Sequence, residues 1–205
     1  MIKLYETDRL IVRPFTKEDI QGNYQNWWTD TEVTKYNSHG LFPYTKNQML
    51  SFLERLESSS DIVWAVIVKE RGKDLNHPEN TIYNADENLY YFHIGNISLQ
   101  NINWIYRSAE FACIFGEKDY WGKGYCTEAA TLLFEHGFKK LGLHRIWTGT
   151  AETNIGMRSV AVKLKMASEG VFLDGMFLDG QFVNVHTYGV LDKEWFKNDL
   201  NEGAE

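Results

Sequence analysis

The stretch that most restricts how this chain can fold is Phe111–Ala129, FACIFGEKDYWGKGYCTEA. It reads as an apolar strand, a turn-rich segment carrying Gly116, Gly122 and Gly124, and the opening of a long helix. That helix is amphipathic to about Leu141. Cys126, Ala130, Leu133, Phe134, Phe138 and Leu141 share one face, and Glu128, Thr131, Glu135 and Lys139 the other. A helix N-terminus offers unpaired N–H groups and the positive end of the helix dipole. Gly122 and Gly124 let the backbone approach a ligand closely, so the stretch can form a pyrophosphate cradle. A plain glycine turn with a helix entry is the other reading. A P-loop is excluded, because Gly116 to Gly122-Lys123 is one residue too long and Gly124 stands where Ser or Thr should hold magnesium. A GxGxxG dinucleotide fingerprint is absent from the stretch.

The rest of the chain surrounds this unit with alternating elements. Leu10–Arg13, closed by Pro14, reads as a first strand. Thr16, three residues before Asp19, opens a helical pattern to about Trp28. A helix is expected over Thr45–Ser58 and strands over Ile62–Lys69, Tyr90–Leu99 and Ser108–Phe115, the last two joined by a hairpin connection at Gln100–Arg107. Residues 71–88 are polar and read as an exposed inserted loop. After the long helix come a strand at Leu143–Thr150, a helix capped by Asn154, and two strands around Asp179-Gly180, a tight-turn pair. This order predicts an α/β fold with a mixed sheet, as a single domain over 1–205.

Composition narrows the function. With 21 Lys+Arg against 28 Asp+Glu, the net charge of −7 argues against nucleic acid as a partner. No apolar run approaches membrane-helix length, and MIKLYETDRL carries charges where a signal peptide is apolar, so no membrane association is expected. Two cysteines, Cys113 and Cys126, make no disulfide framework, and the expected location is the cytoplasm. The six histidines include no HxxxH pair, and no metal is expected.

The stretch resembles the GNAT family of acyl-CoA-dependent N-acyltransferases, and within it the RimJ/RimL-like branch. Asp119-Tyr-Trp-Gly122-Lys-Gly124 fills the coenzyme-loop pattern (Arg/Gln)-x-x-Gly-x-(Gly/Ala), departing from it at the first position, and Thr-Glu-Ala follows as is typical of the branch. Thr7-Asp8-Arg9-Leu10 with Val12-Arg13-Pro14-Phe15, Ala109-Glu110-Phe111, Leu143-His144-Arg145-Ile146 and Gly189–Trp195 resemble the family's first, fourth, fifth and closing strands. The resemblance implies a mostly antiparallel central sheet splayed between strands four and five and flanked by helices. It implies acetyl-CoA as cosubstrate. Ile114 and Phe115 would pair with the pantetheine arm, Trp121, Gly122, Lys123, Gly124, Tyr125 and Cys126 would hold the pyrophosphate, and Asn154 would bond the arm or serve only as a helix cap.

Amine chemistry then sets the roles. An amine attacks a thioester only when neutral, so a base or proton relay is needed. Glu110 is the leading candidate, with His39 and His93 as alternatives, each with an ordinary structural reading beside it. Asn37, His39 and Tyr91 are candidates to face the acceptor. Relatives often carry a Tyr or Ser seven residues after the helix Asn as donor to the CoA thiolate, and here that position is Ala161. Ser159 points about 200° away on the helix. Solvent or Tyr188 remain as donors. The cysteines read as small core residues, with an acyl-cysteine route as the minor alternative. The expected activity is acetyl transfer to a primary amine (an amino sugar, a polyamine or a protein N-terminus). The alternatives are a non-catalytic acyl-CoA sensor and a nucleotide-binding regulator. A homodimer is compatible with the sequence.

Overall fold

The computed structural model describes residues 3–42, 44–71 and 81–198, apart from the side chains of Ser38, His39 and Asn198. The strands are β1 (Tyr5–Glu6), β2 (Leu10–Pro14), β3 (Ile62–Glu70), β4 (Ile82–Asn84), β5 (Leu89–Asn103), β6 (Ser108–Phe115), β7 (Arg145–Ala151), β8 (Ala167–Leu178) and β9 (Gln181–Leu191). The α-helices are α1 (Tyr24–Trp27), α2 (Lys46–Ser58), α3 (Tyr125–Lys139), α4 (Ile155–Lys163) and α5 (Asp192–Trp195). The hydrogen-bonded strand order is β1-β2-β3-β5-β6-β7-β9-β8, with β4 on β5. Pairs β1–β2, β2–β3, β4–β5, β7–β9 and β8–β9 are antiparallel. The β6–β7 contact is parallel and short: Ser108–Arg145, Ala109–Ile146 and Glu110–Trp147. The fold is the expected mixed, mostly antiparallel α/β sheet flanked by helices, and this short ladder coincides with the expected splay.

Local chemistry explains the elements. β3 is an almost unbroken apolar run, and Trp64 to Val68 are all buried, as a strand covered on both faces requires. α2 opens with a full capping box: Thr45 accepts from the Gln48 amide, and the Gln48 side chain returns to the Thr45 amide. The β8–β9 turn places Asp179 and Gly180 at φ 48° and 84°, the left-handed pair a two-residue hairpin turn needs.

The chain forms two compact units. The first comprises the residues up to Ser98 together with Cys113–Ala129. Its core gathers Ile11, Phe15, Ile20, Tyr24, Trp27, Met49, Ile67 and Tyr91. The second comprises Leu99–Ala112 and the residues from Ala130 onward. In it the Phe134 ring meets Phe111 and Trp195 at 5.1 Å and 5.3 Å. Gly137 lets α3 come close to Leu99, Ile146 and Leu143.

Three expectations are corrected. The helix from Thr16 to Trp28 is instead a 3-10 turn at Asp19–Gln21 followed by the short α1. The Asp19 carboxylate takes both the amide and hydroxyl of Thr16, and Gly22 is extended, so the pattern breaks after one turn. The connection Gln100–Arg107 shrinks to residues 104–107, because β5 continues to Asn103 with Asn101 at φ 53°. The inserted loop over 71–88 contains β4, which pairs with β5, and residues 72–80 of it lie outside the described residues. Among the described residues no helix is long and apolar enough to cross a membrane.

Candidate functional site

The part of the glycine stretch from Cys113 to Ala129 lies in the first unit and is fixed at both ends. At the end of β6 the Gly116 amide donates to Ile94 at 3.1 Å. The Glu117 carboxylate accepts from the Asn23 amide at 2.5 Å and from the Trp27 indole at 2.8 Å. Lys118 pairs with Asp30 and Glu32 at 2.9 Å and 3.0 Å. After the 3-10 turn Lys118–Tyr120, the Trp121 indole N–H donates back to the Phe115 carbonyl at 2.7 Å. The loop is thereby closed on the strand that feeds it.

Next come Gly122 and Gly124, at φ 71° and 85°. A Cβ on Gly122 would meet nothing within 4 Å, and one on Gly124 only Arg9, at 3.7 Å. Space in front of the backbone is therefore open. Among the described residues, the amides of Gly122, Lys123, Gly124, Tyr125 and Cys126 donate to no acceptor. Five such donors at the start of a fifteen-residue helix, in a turn with alternating left-handed residues, fit an anionic diphosphate. The one acid in the first turn of α3, Glu128, is paired with Arg9, so its charge does not stand bare at the helix start.

Arg9 and Glu128 brace the glycine loop, a pairing that sequence reasoning missed. Arg9 donates through Nε to Glu128 at 2.8 Å, through Nη2 to the same carboxylate, and through Nη1 to the Lys123 carbonyl at 3.1 Å. Its guanidinium also lies 4.4 Å from the centre of the Tyr125 ring. Thr7 donates to the other Glu128 oxygen at 2.5 Å. The signal was present, since Thr7-Asp8-Arg9 and Thr127-Glu128-Ala129 both stand out as motifs, but neither names the other as its partner.

Cys113 and Cys126 bring their sulfurs to 3.4 Å. Contact with Cys113, and then burial, pushes the Cys126 thiol well above its ordinary range. A protonated thiol is a poor nucleophile, which favours the small-residue reading over the acyl-cysteine route.

Of the acceptor-facing candidates, Tyr91 lines a cavity of about 340 Å³ in the first unit, together with Arg13, Asp19, Tyr24 and His93. Burial and then its hydrogen bond to Glu87 push the Tyr91 hydroxyl up to about 12. Asn37 belongs to a chain of turns, its amide donating to Thr34 at 2.8 Å and its carbonyl accepting from Gly40 at 3.1 Å. The side chain of His39 lies outside the described residues. His93 is a core residue. Its Nε2 faces two acceptors, the Gly95 carbonyl at 2.9 Å and the Asn96 side-chain oxygen at 2.7 Å, which assigns the proton to that nitrogen. Burial holds its pKa below the usual 6.5, and the ring sits against Trp27 at 4.8 Å. Neighbouring Asp19 is bound in bidentate fashion by Arg13 at 2.5 Å and 2.7 Å. Burial alone would raise that carboxyl, but Arg13, His93 and the Thr16 amide outweigh it and hold the group below its ordinary value.

In the second unit, Glu110 occupies the last rung of the β6–β7 ladder and accepts from the Asn101 side chain at 2.8 Å. Asn154 caps α4 by accepting from the Met157 amide at 3.1 Å, while its side-chain NH₂ donates to nothing among the described residues. The cap role therefore occupies the side-chain oxygen and leaves the NH₂ without a protein acceptor among the described residues. Ala161 is fully buried and Ser159 is exposed. Tyr188 is buried, and its hydroxyl accepts from Arg158 Nε at 3.1 Å. No metal-binding group of three or more ligands occurs among the described residues.

The acetyltransferase (GNAT) domain model matches residues 9–167. Among curated proteins, the chain is 26% identical over 189 residues to the uncharacterized N-acetyltransferase YnaD of Bacillus subtilis, covering 92% of this chain and 97% of that one. It is 34% identical over 76 residues to the spermidine N(1)-acetyltransferase of Escherichia coli, covering 37% of this chain and 40% of that one. Among solved structures, a spermidine N-acetyltransferase from Vibrio cholerae in complex with CoA and spermine superposes with TM-score 0.73 at 19% identity, covering 93% of this chain and 99% of that one. A GNAT-family acetyltransferase from Bacillus anthracis superposes with TM-score 0.70 at 24% identity, covering 92% and 98%.

Proposed function

Because the chain belongs to the GNAT acetyltransferase family, we propose that it carries the acetyl group of acetyl-CoA directly to a primary amine in a ternary complex. The observation that carries this reading is the set of amides from Gly122 to Cys126, unpaired among the described residues in front of open space. These amides hold the diphosphate of the coenzyme. The edge of β6 around Ile114 and Phe115, beyond the three-rung ladder to β7, offers backbone groups to the pantetheine arm in the manner of an added strand. Asn154 adds its side-chain NH₂ to that arm.

Glu110 acts as base or proton relay for the attacking amine, and a backbone N–H near Ile114 stabilises the oxygen of the thioester as charge develops. Rate then rises with pH as the amine loses its proton. The leaving thiolate takes its proton from solvent or from Tyr188. Arg158 already occupies an acceptor site on the Tyr188 hydroxyl, so the hydroxyl's own proton remains available to donate. The acceptor is a small amine or a peptide N-terminus. The spermidine acetyltransferases among the relatives make polyamines the first acceptors to test. The Thr7–Phe15 and Tyr120–Ala129 motifs support the RimJ/RimL-like branch, with the whole chain serving as one acetyltransferase domain.

One observation favours a second reading, an acyl-CoA sensor without turnover: the position of the customary thiolate donor is the fully buried methyl of Ala161. Two measurements separate the readings. Calorimetry with acetyl-CoA is expected to show binding under both. Release of CoA thiol with spermidine, glucosamine or a short peptide is expected only from the enzyme. Coenzyme binding without thiol release across that panel would support the sensor, and no coenzyme binding would remove both.

A further inference from the structure

The cradle is built from main chain, and main chain with two left-handed glycines does not hold its own direction. Something must fix the Lys123–Gly124 peptide. In a trans peptide the carbonyl and the following N–H point opposite ways across one rigid plane. Arg9 Nη1 binds the Lys123 carbonyl at 3.1 Å. That bond pulls the carbonyl to the Arg9 side and turns the Gly124 N–H to the other side. Arg9 is itself held in place. Its Nε and Nη2 engage one Glu128 oxygen, Thr7 engages the other at 2.5 Å, and the Tyr125 ring backs the guanidinium at 4.4 Å.

We infer that Arg9, held by Glu128, is a positioning residue that sets the coenzyme loop for diphosphate binding. The inference rests on the reading that this loop binds CoA. It assigns Arg9 two effects. One is geometric, through the Lys123 carbonyl. The other is electrostatic. Glu128 lies in the first turn of α3, where a lone carboxylate would compete with the diphosphate for the positive end of the helix dipole, and Arg9 cancels that charge. The contribution to folding is expected to be small, because the Arg9 side chain is 46% exposed and ion pairs at such sites add little stability.

The test is a cycle of Arg9→Met, Glu128→Gln and the double variant, with Arg9→Lys as a fourth protein. Each is read by Tm, by the calorimetric Kd for CoA, and by kcat and KM for acetyl-CoA. Arg9→Met is expected to weaken CoA binding about tenfold, the loss of one well-placed charge-assisted contact. Its Tm should hardly move, and the effect should fall on KM while kcat stays near wild type. The double variant should bind CoA better than Arg9→Met alone, because it no longer carries the stranded carboxylate. Arg9→Lys should fall between wild type and Arg9→Met, keeping the charge but losing the fork. Unchanged Kd in both Arg9 variants overturns the inference, as does a double variant that only adds the two single losses. If Arg9→Met does not fold, Arg9→Lys decides the question by the same Kd and KM readings. Failure of the wild-type protein to bind CoA is a separate result, and it removes the loop reading instead.

Discussion

Trp27 and Gly116 are packed so closely that a single methyl would not fit between them. A Cβ on Gly116 would lie 1.9 Å from Trp27 Cδ2, while the same indole donates to Glu117, the next residue, at 2.8 Å. Gly116 is where β6 ends and the glycine loop begins, so the loop starts against a fully buried ring with no freedom to retreat. Gly116→Ala is therefore expected to destabilise the protein by about 1–3 kcal/mol through overpacking. Thermal or urea unfolding checks this, and a weakened Kd for CoA should accompany it.

Gly122 and Gly180 form a matched pair for separating strain from binding. Both have positive φ, and a Cβ on either would meet nothing within 4 Å. Alanine at each should cost about 1–2 kcal/mol of backbone strain. Only Gly122→Ala should also weaken CoA binding, since its methyl would fill the space before the cradle. Equal calorimetric affinities in the two variants would count against that cradle.

His93 gives a pH signature with a definite sign. Its folded pKa lies below the 6.5 of the free side chain, because burial disfavours the charged ring. Below pH 6.5 the unfolded chain takes up a proton that the folded chain refuses, so stability falls as pH drops from there toward the folded value. At higher pH the contribution is fully present. Asp19, held below 3.8, extends the acid loss further down. His136 has the same sign as His93, also through burial. In His93→Gln the slope of stability against pH just below 6.5 should flatten without vanishing, as urea titrations will show.

Glu110→Gln separates a proton relay from a plain strand residue. As relay, its loss should lower kcat by about 10²-fold or more, with calorimetric CoA affinity unchanged. A kcat equal to wild type would leave Glu110 only its bond to Asn101.

The direct-attack route predicts no covalent intermediate on the Cys113–Cys126 pair. Enzyme incubated with acetyl-CoA and no amine should keep its intact mass, and Cys113→Ala should retain thiol-release activity. An acetylated protein peak would restore the two-step route.

The parts of this molecule legible in the sequence are those fixed by neighbours along the chain. Thr45 and Gln48 write their own capping box, Asp179-Gly180 its own turn, and the β3 run its own buried strand. The glycine stretch was legible for the same reason, since its geometry is local. Residues that act across long separations were not. Arg9 and Glu128 are 119 positions apart, and Trp27 and Glu117 are 90 apart, so each looks like an ordinary surface or core residue until the fold joins them. The helix expected from Thr16 failed on a competing contact. Arg13, which lies outside the pattern, recruits Asp19 and holds it as part of a turn.

β8 closes the strand order at its outer end, with Val171, Phe172, Leu173 and Phe177 exposed. A straight edge of that kind invites stacking by other extended chains. This one is creased twice, at Ser168/Gly170 and at Phe172/Met176, so its free amides and carbonyls never form a long even row. The first crease carries one extra residue on β8 and the second two, so a variant with the strand straightened at both is expected to self-associate more readily on concentration than the natural chain.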